Sequence, residues 1–98
     1  MLNEMTRDRF VDYLNTPFRL LDVPLLGLAL TLAQVSELHT GQGYESFSLF
    51  FQGSAAWPLQ QRIYQLEHDQ LGKMELFLVP VGSDKEVLYY EAVFNRLI

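Results

Sequence analysis

The sequence predicts a mainly β fold: a small antiparallel six-stranded barrel, or a strongly curled sheet, with a short N-terminal helix. Three observations predict it. Leucines and aromatics recur at every second position from the twenties to the C-terminus, the period of a strand with one buried face. Turn-forming residues separate these runs at short intervals, as in a meander. The chain has 98 residues, one domain's worth. A sheet that small exposes unpaired edges unless it closes on itself.

The N-terminal segment reads as a short helix. Thr6 is a good N-cap, since its hydroxyl can accept a free backbone N–H. Met5 and Phe10 have the spacing of a hydrophobic staple across that cap, and Phe10, Tyr13 and Leu14 share one face. Asn15 can close the helix in a left-handed conformation, and Pro17 forbids its continuation.

Strands follow. The first runs from Phe18 to Val23 and ends at Pro24. The second runs from Leu26 to Leu38, with leucine at 26, 28, 30 and 32 and small residues between. Its phase breaks near Ala33 and Gln34, because Val35 is out of step with Leu32. A β-bulge there returns Val35 to the inside. His39 to Gly43 is a loop by composition. Phe47 to Phe51 is the third strand, Gly53 to Gln61 a longer connection containing Trp57-Pro58, and Ile63 to Glu67 the fourth strand. A turn from His68 to Gly72 leads to the fifth, Lys73 to Val81. Gly82 to Lys85 then turns into the sixth, Val87 to Asn95.

Alternation assigns each strand an inward set: Phe47, Leu49 and Phe51; Tyr64 and Leu66; Met74, Leu76, Leu78 and Pro80; Leu88, Tyr90, Ala92 and Phe94. The outward sets are not fully polar. Phe50, Phe77, Val79, Tyr89 and Val93 are large, and several should be neighbours on adjacent strands. Two apolar faces on one sheet need two covers. The barrel interior is one, and the helix, through Phe10 and Leu14, is the candidate for the other. Whatever stays uncovered is an apolar patch of the kind that marks an interface. Alternatively the barrel is flattened, and the helix and the Gly53–Gln61 connection cover it all.

Composition excludes several functions. With 49% hydrophobic and 19% charged residues, the chain can build a core, which excludes intrinsic disorder. The net charge of −5 argues against nucleic acid, which demands a basic face, and against an anionic membrane surface. There is no cysteine, so disulfides, thiolate metal sites and thiol catalysis are excluded. The apolar run from Leu25 to Ala33 falls far short of the ~20 residues of a spanning helix. Glu4, Asp8 and Asp12 before it, and the lack of a small-x-small cleavage site after it, argue against a signal peptide. The expected location is the cytoplasm.

No motif carries catalysis. Glu67-His68-Asp69 joins two acids and a base, but adjacent strand residues point to opposite faces and cannot converge on one atom. Their place at a hairpin end suits turn chemistry, with Asp69 bonding the turn backbone. His39 is the only other histidine, and two histidines without an i, i+4 pair or an acidic ligand loop give no metal signature. Gly41-x-Gly43 is too short for a phosphate-binding loop, and no serine sits in a nucleophile elbow. The expectation is a non-enzymatic protein without a cofactor. Trp57 is read as a lid over the barrel end, with an anchor in a protein interface as the alternative.

Four segments carry a resemblance. They are Phe47-Ser48-Leu49-x-Phe51-x-Gly53, Tyr64-x-Leu66-Glu67-His68-x-x-Leu71-Gly72, Leu76-Phe77-Leu78-Val79-Pro80-Val81-Gly82 and Tyr90-Glu91-Ala92-Val93-Phe94-Asn95. On these the chain resembles a family of small uncharacterised bacterial proteins of about this length. The likeness runs from Phe47 onward, and more loosely over the helix and Phe18-Arg19. The family is a domain of unknown function and brings no catalytic residues. The resemblance implies a link to phage-tail-like proteins, beside whose genes some members lie. The chain departs from the family pattern before Tyr64, where Arg62-Ile63 replaces small turn residues.

Among the shared residues, Gly72 and Gly82 stand at strand joints, where positive backbone dihedrals favour glycine. Glu91 and Asn95 are the less expected ones, being polar on the terminal strand. Glu91 can pair with Lys73 or Arg62 across strands, or contact a partner. The functional expectation is an interaction or assembly module, docking on a protein partner or on itself through Phe50, Trp57, Phe77, Tyr89 and Glu91. The alternative is a small-ligand-binding barrel with its cavity lined by Tyr64, Tyr90 and Trp57. It ranks second because side chains alone should fill six short strands.

Overall fold

The computed structural model describes residues 6–97. Helix α1 covers Arg7–Val11. Seven strands are present among these residues: β1 Pro17–Leu20, β2 Ala29–Val35, β3 His39–Gly41, β4 Tyr44–Ser54, β5 Arg62–His68, β6 Gly72–Asp84 and β7 Val87–Leu97. They form one sheet in the order β2-β1-β5-β6-β7-β4-β3, with β2 also paired to β4. That last pairing closes β1, β2, β4, β5, β6 and β7 into a six-stranded antiparallel barrel and leaves β3 as an extra strand on β4. Closure gives every barrel strand two neighbours over part of its length, which shortens the edges an open sheet would expose.

The core is the inside of this barrel. Phe18, Leu30, Leu32, Leu49, Phe51, Leu66, Leu78 and Tyr90 are buried, in the alternation the sequence sets out. The bulge in β2 is present: the register with β4 shifts between Leu32 and Gln34, and Val35 packs against the core.

Several boundaries differ from the sequence reading. The segment from Leu26 is not yet strand. Gly27 has φ +85°, Leu26 is 86% exposed, and β2 starts only at Ala29. The leucine periodicity began one turn too early, because Leu25-Leu26-Gly27-Leu28 bends to bring the Leu28 carbonyl onto the Leu20 N–H. β1 ends at Leu20 because the chain bends at Asp22, whose carboxylate accepts from the Gln65 N–H and from Arg62. The expected loop at His39–Gly43 is a hairpin, with β3 pairing Tyr44 to Ser46. Gly41 permits it, since a Cβ there would collide with the Tyr44 ring. Gly82 does not adopt positive φ, whereas Gly72, at φ +83°, does; the left-handed residue of the β6–β7 turn is Lys85.

Pro80 is exposed, against expectation. β5 pairs with β6 only as far as Leu78, opposite Arg62. Beyond Leu78, β6 runs as an arm with β7 alone as partner, and a residue lacking an N–H is tolerated on such an edge.

The helix does not cover the outside of the sheet. Thr6 caps it by accepting from the Arg9 N–H, but the helix ends at Val11 with Asp12 as its C-cap, and Asn15, at φ +66°, turns the chain only beyond it, ahead of β1. Met5, the other half of the staple, lies outside the described residues. Phe10 points inward, with its ring 5.3 Å from that of Phe94, 6.2 Å from Phe47 and 6.5 Å from Phe18. All three are inward-facing residues, so α1 packs into the core and leaves the outer wall bare.

Candidate functional site

The outer face of β4, β5, β6 and β7 is a wall of side chains that the core does not use. Its register is fixed by the pairings. Ile63 stands opposite Phe77, Val79 opposite Glu91, Glu91 opposite Phe50, Gln52 opposite Tyr89, and Ser48 opposite Val93. Phe77 and Val93 each lie two residues along from the Val79–Glu91 pair, on the same side of it. Ile63, Phe77 and Val93 are 56, 50 and 57% exposed, on three consecutive strands. Phe50, Val79, Tyr89 and Glu91 are half-buried between them. Four of the five residues singled out from sequence therefore share one surface: Phe50, Phe77, Tyr89 and Glu91.

Glu91 does not pair with Lys73 or Arg62. Lys73 lies opposite Glu67, and Arg62 is drawn to Asp22, with its guanidinium over the Tyr64 ring at 3.8 Å. Glu91 instead accepts a hydrogen bond from the Ser48 hydroxyl at 2.6 Å.

Trp57 lies apart from the wall. It is 49% exposed and borders a surface cleft of about 420 Å3, with Leu25, Leu28, Pro58, Arg62 and Tyr64. The lid role expected of Trp57 falls to Leu59, which packs against the core while its N–H donates to the Tyr90 hydroxyl at 3.0 Å. Tyr90 is thus buried under this loop, and the cleft beside Trp57 is lined by Tyr64 and not by Tyr90. The Tyr64 hydroxyl pins the same loop by donating to the Gln60 carbonyl at 2.6 Å. Arg62 opens β5 and braces this loop against Asp22.

A second cleft, about 530 Å3, lies beside α1 and is lined by Arg7, Asp8, Glu37, Glu45 and Arg96. Four of its five charges pair with one another: Arg96 with Glu45, and Arg7 with Asp8 at 3.5 Å.

The Glu67-His68-Asp69 segment divides as alternation demands. His68 is 2% exposed and faces inward. Its Nδ1 accepts from the backbone N–H groups of Gln70 and Leu71 at 3.0 and 3.2 Å. The histidine, not Asp69, therefore ties the turn. Asp69 receives Arg19 at 2.8 Å, and Glu67 lies 3.6 Å from the same guanidinium. Burial pushes the His68 pKa down, offset in part by Asp69 and reinforced by Arg19. Sequence reasoning missed this buried histidine, although its parity with Tyr64 and Leu66 carried the signal. Among the described residues, no three acids or histidines gather as metal ligands would. No helix among them is long and apolar enough to cross a membrane.

Fold and surface together define a small closed β-barrel with a buried core of leucines and aromatics and an apolar outer wall. The chain matches the family model for a domain of unknown function, DUF6916, over residues 5–94, and it belongs to that family. No significant match was found among curated proteins or among solved structures.

Proposed function

We propose that this chain is a non-enzymatic protein-interaction module that docks through the outer wall of its barrel. One observation carries the reading: Ile63, Phe77 and Val93 lie exposed on three adjacent strands, with Phe50, Val79 and Tyr89 beside them. Scattered exposed apolar residues need no explanation, but a contiguous apolar patch tends to mark a docking surface. Supporting it, the expected cover is absent from the wall, because α1 is spent on the barrel interior. The setting suggested by the family resemblance is the assembly of a phage-tail-like particle in the cytoplasm.

The test is a photo-crosslinking amino acid placed at Phe77 in the cells that make the protein, with Ala55 as the control position. A discrete protein adduct from position 77 and none from position 55 is the expected result. Equal or absent crosslinking at both positions overturns the reading. A second reading, a site for a small apolar ligand, is favoured by the cleft beside Trp57. Trp57 is the sole tryptophan, so its fluorescence reports directly on any such ligand.

A further inference from the structure

We propose that the partner of this wall is a protein presenting an arginine or lysine among apolar side chains, with Glu91 as the counter-charge, and is not a second copy of this chain. The inference rests on the interaction reading above and specifies the surface that satisfies it.

The carboxylates show why. Among the described residues, the half-buried ones are Glu45, Glu67 and Glu91; the others are exposed. Glu45 pairs with Arg96, and Glu67 faces Arg19. Glu91 alone of the three has no cation within ion-pair distance among the described residues, and its one side-chain hydrogen bond comes from Ser48. Its cross-strand neighbours are Phe50 and Val79, and its neighbours along β7 on the same face are Tyr89 and Val93. A carboxylate thus stands inside the apolar wall, and among the described residues no side-chain hydrogen bond reaches its second oxygen.

A wholly apolar partner seated there would strip water from that oxygen and return nothing, an expensive outcome for a charged group. A cation answers it. An arginine does so best, because its planar fork takes the free oxygen while its face stacks on the flanking aromatic rings. A second copy does the opposite. Two-fold docking centred on Glu91 brings the two carboxylates together, between chains that each carry −5.

The test is selection of a random peptide library on the intact protein, with enriched peptides measured against wild type, Glu91→Gln and Phe77→Asp. The first variant keeps an oxygen for Ser48 and removes only the charge; circular dichroism checks that both remain folded. The expected peptides carry arginine or lysine between apolar residues. They lose roughly tenfold or more in affinity on Glu91→Gln and bind Phe77→Asp no better. Their affinity falls with added salt. Peptides without a cation that lose binding on Phe77→Asp but not on Glu91→Gln overturn this inference and leave the interaction reading standing. So does a dimer in light scattering that Phe77→Asp dissolves. Peptides that ignore Phe77→Asp, or no enrichment at all, overturn both.

Discussion

His68 Nε2 lies 2.9 Å from the Thr16 hydroxyl, which donates in turn to the Tyr13 carbonyl at 2.6 Å. With the threonine proton so committed, Nε2 must carry the hydrogen. Nδ1 must be bare, since two backbone N–H groups point at it. The ring is therefore neutral, with both nitrogens used. It joins the residue entering β1 to the turn between β5 and β6, and it packs between the Tyr13 and Phe18 rings at 4.8 and 4.5 Å.

Stability should therefore depend on pH. A proton added to Nδ1 would face two donors, and burial already holds the His68 pKa below its usual 6.5. Above about 6.5 the histidine is neutral in both folded and unfolded chains and contributes no pH dependence. As pH falls through that value, the unfolded chain takes up a proton that the folded chain declines, so stability drops. The drop continues down to the lowered folded value. Urea midpoints should fall between about pH 7 and about pH 5.5, above the range where carboxylates titrate. His68→Gln should flatten that slope. A wild-type midpoint that stays level across this window would rule out the neutral ring.

Thr16→Val should cost about 1–3 kcal/mol, because it strands the Nε2–H in a buried position while keeping the β-branched shape of the side chain. Chemical denaturation near pH 7.5 measures it. A loss close to zero would mean that water or another acceptor replaces the hydroxyl.

The two faces of the barrel should respond differently to the same truncation. Phe10 is fully buried against three other rings, and Phe10→Ala should cost about 3–5 kcal/mol. That is a large share of the roughly 5–15 kcal/mol holding a domain together. Phe77 is half exposed, and Phe77→Ala should cost about 1 kcal/mol or less. Paired urea titrations decide. Equal losses would mean that the wall is structural, and comparable tolerance at Phe10 would mean that α1 is not part of the core.

These contrasts show which parts of the fold were legible in the sequence. Where a strand has one dry and one wet side, as at Leu49-Phe50-Phe51, alternation is a direct record of burial. The bulge was legible for the same reason, because Val35 breaks the beat that Leu30 and Leu32 set. Leu26 misled because its side chain anticipates the rhythm of β2 while the backbone at Gly27 has not yet entered that strand. The β3 hairpin was hidden, since His39-Thr40-Gly41 is exposed throughout and records no burial. The helix misled in another way. Its apolar face was legible, but which of two apolar surfaces it covers depends on barrel closure, a long-range fact that local periodicity does not encode. Of the candidate site, the outward aromatics were legible one strand at a time. Their assembly around Glu91 required the register.

Gly53 has a physical reason to be glycine. It lies in β4 opposite Leu88, and a Cβ built on it would sit 2.7 Å from Leu30 Cδ2 and 3.2 Å from Tyr90 Cε2. Both neighbours are buried, and Tyr90 is further held by the Leu59 N–H, so neither side chain has free space to retreat into. Gly53→Ala should therefore overpack the core and cost about 1–3 kcal/mol. Gly82 has no such neighbour within 4 Å and no positive φ. An alanine there limits the unfolded chain without strain in the folded one, so Gly82→Ala should be neutral or stabilising by up to about 1 kcal/mol. Thermal melts of the two variants side by side provide the check. A Gly53→Ala protein as stable as wild type would mean that Leu30 shifts freely, and that the barrel interior is looser than its burial implies.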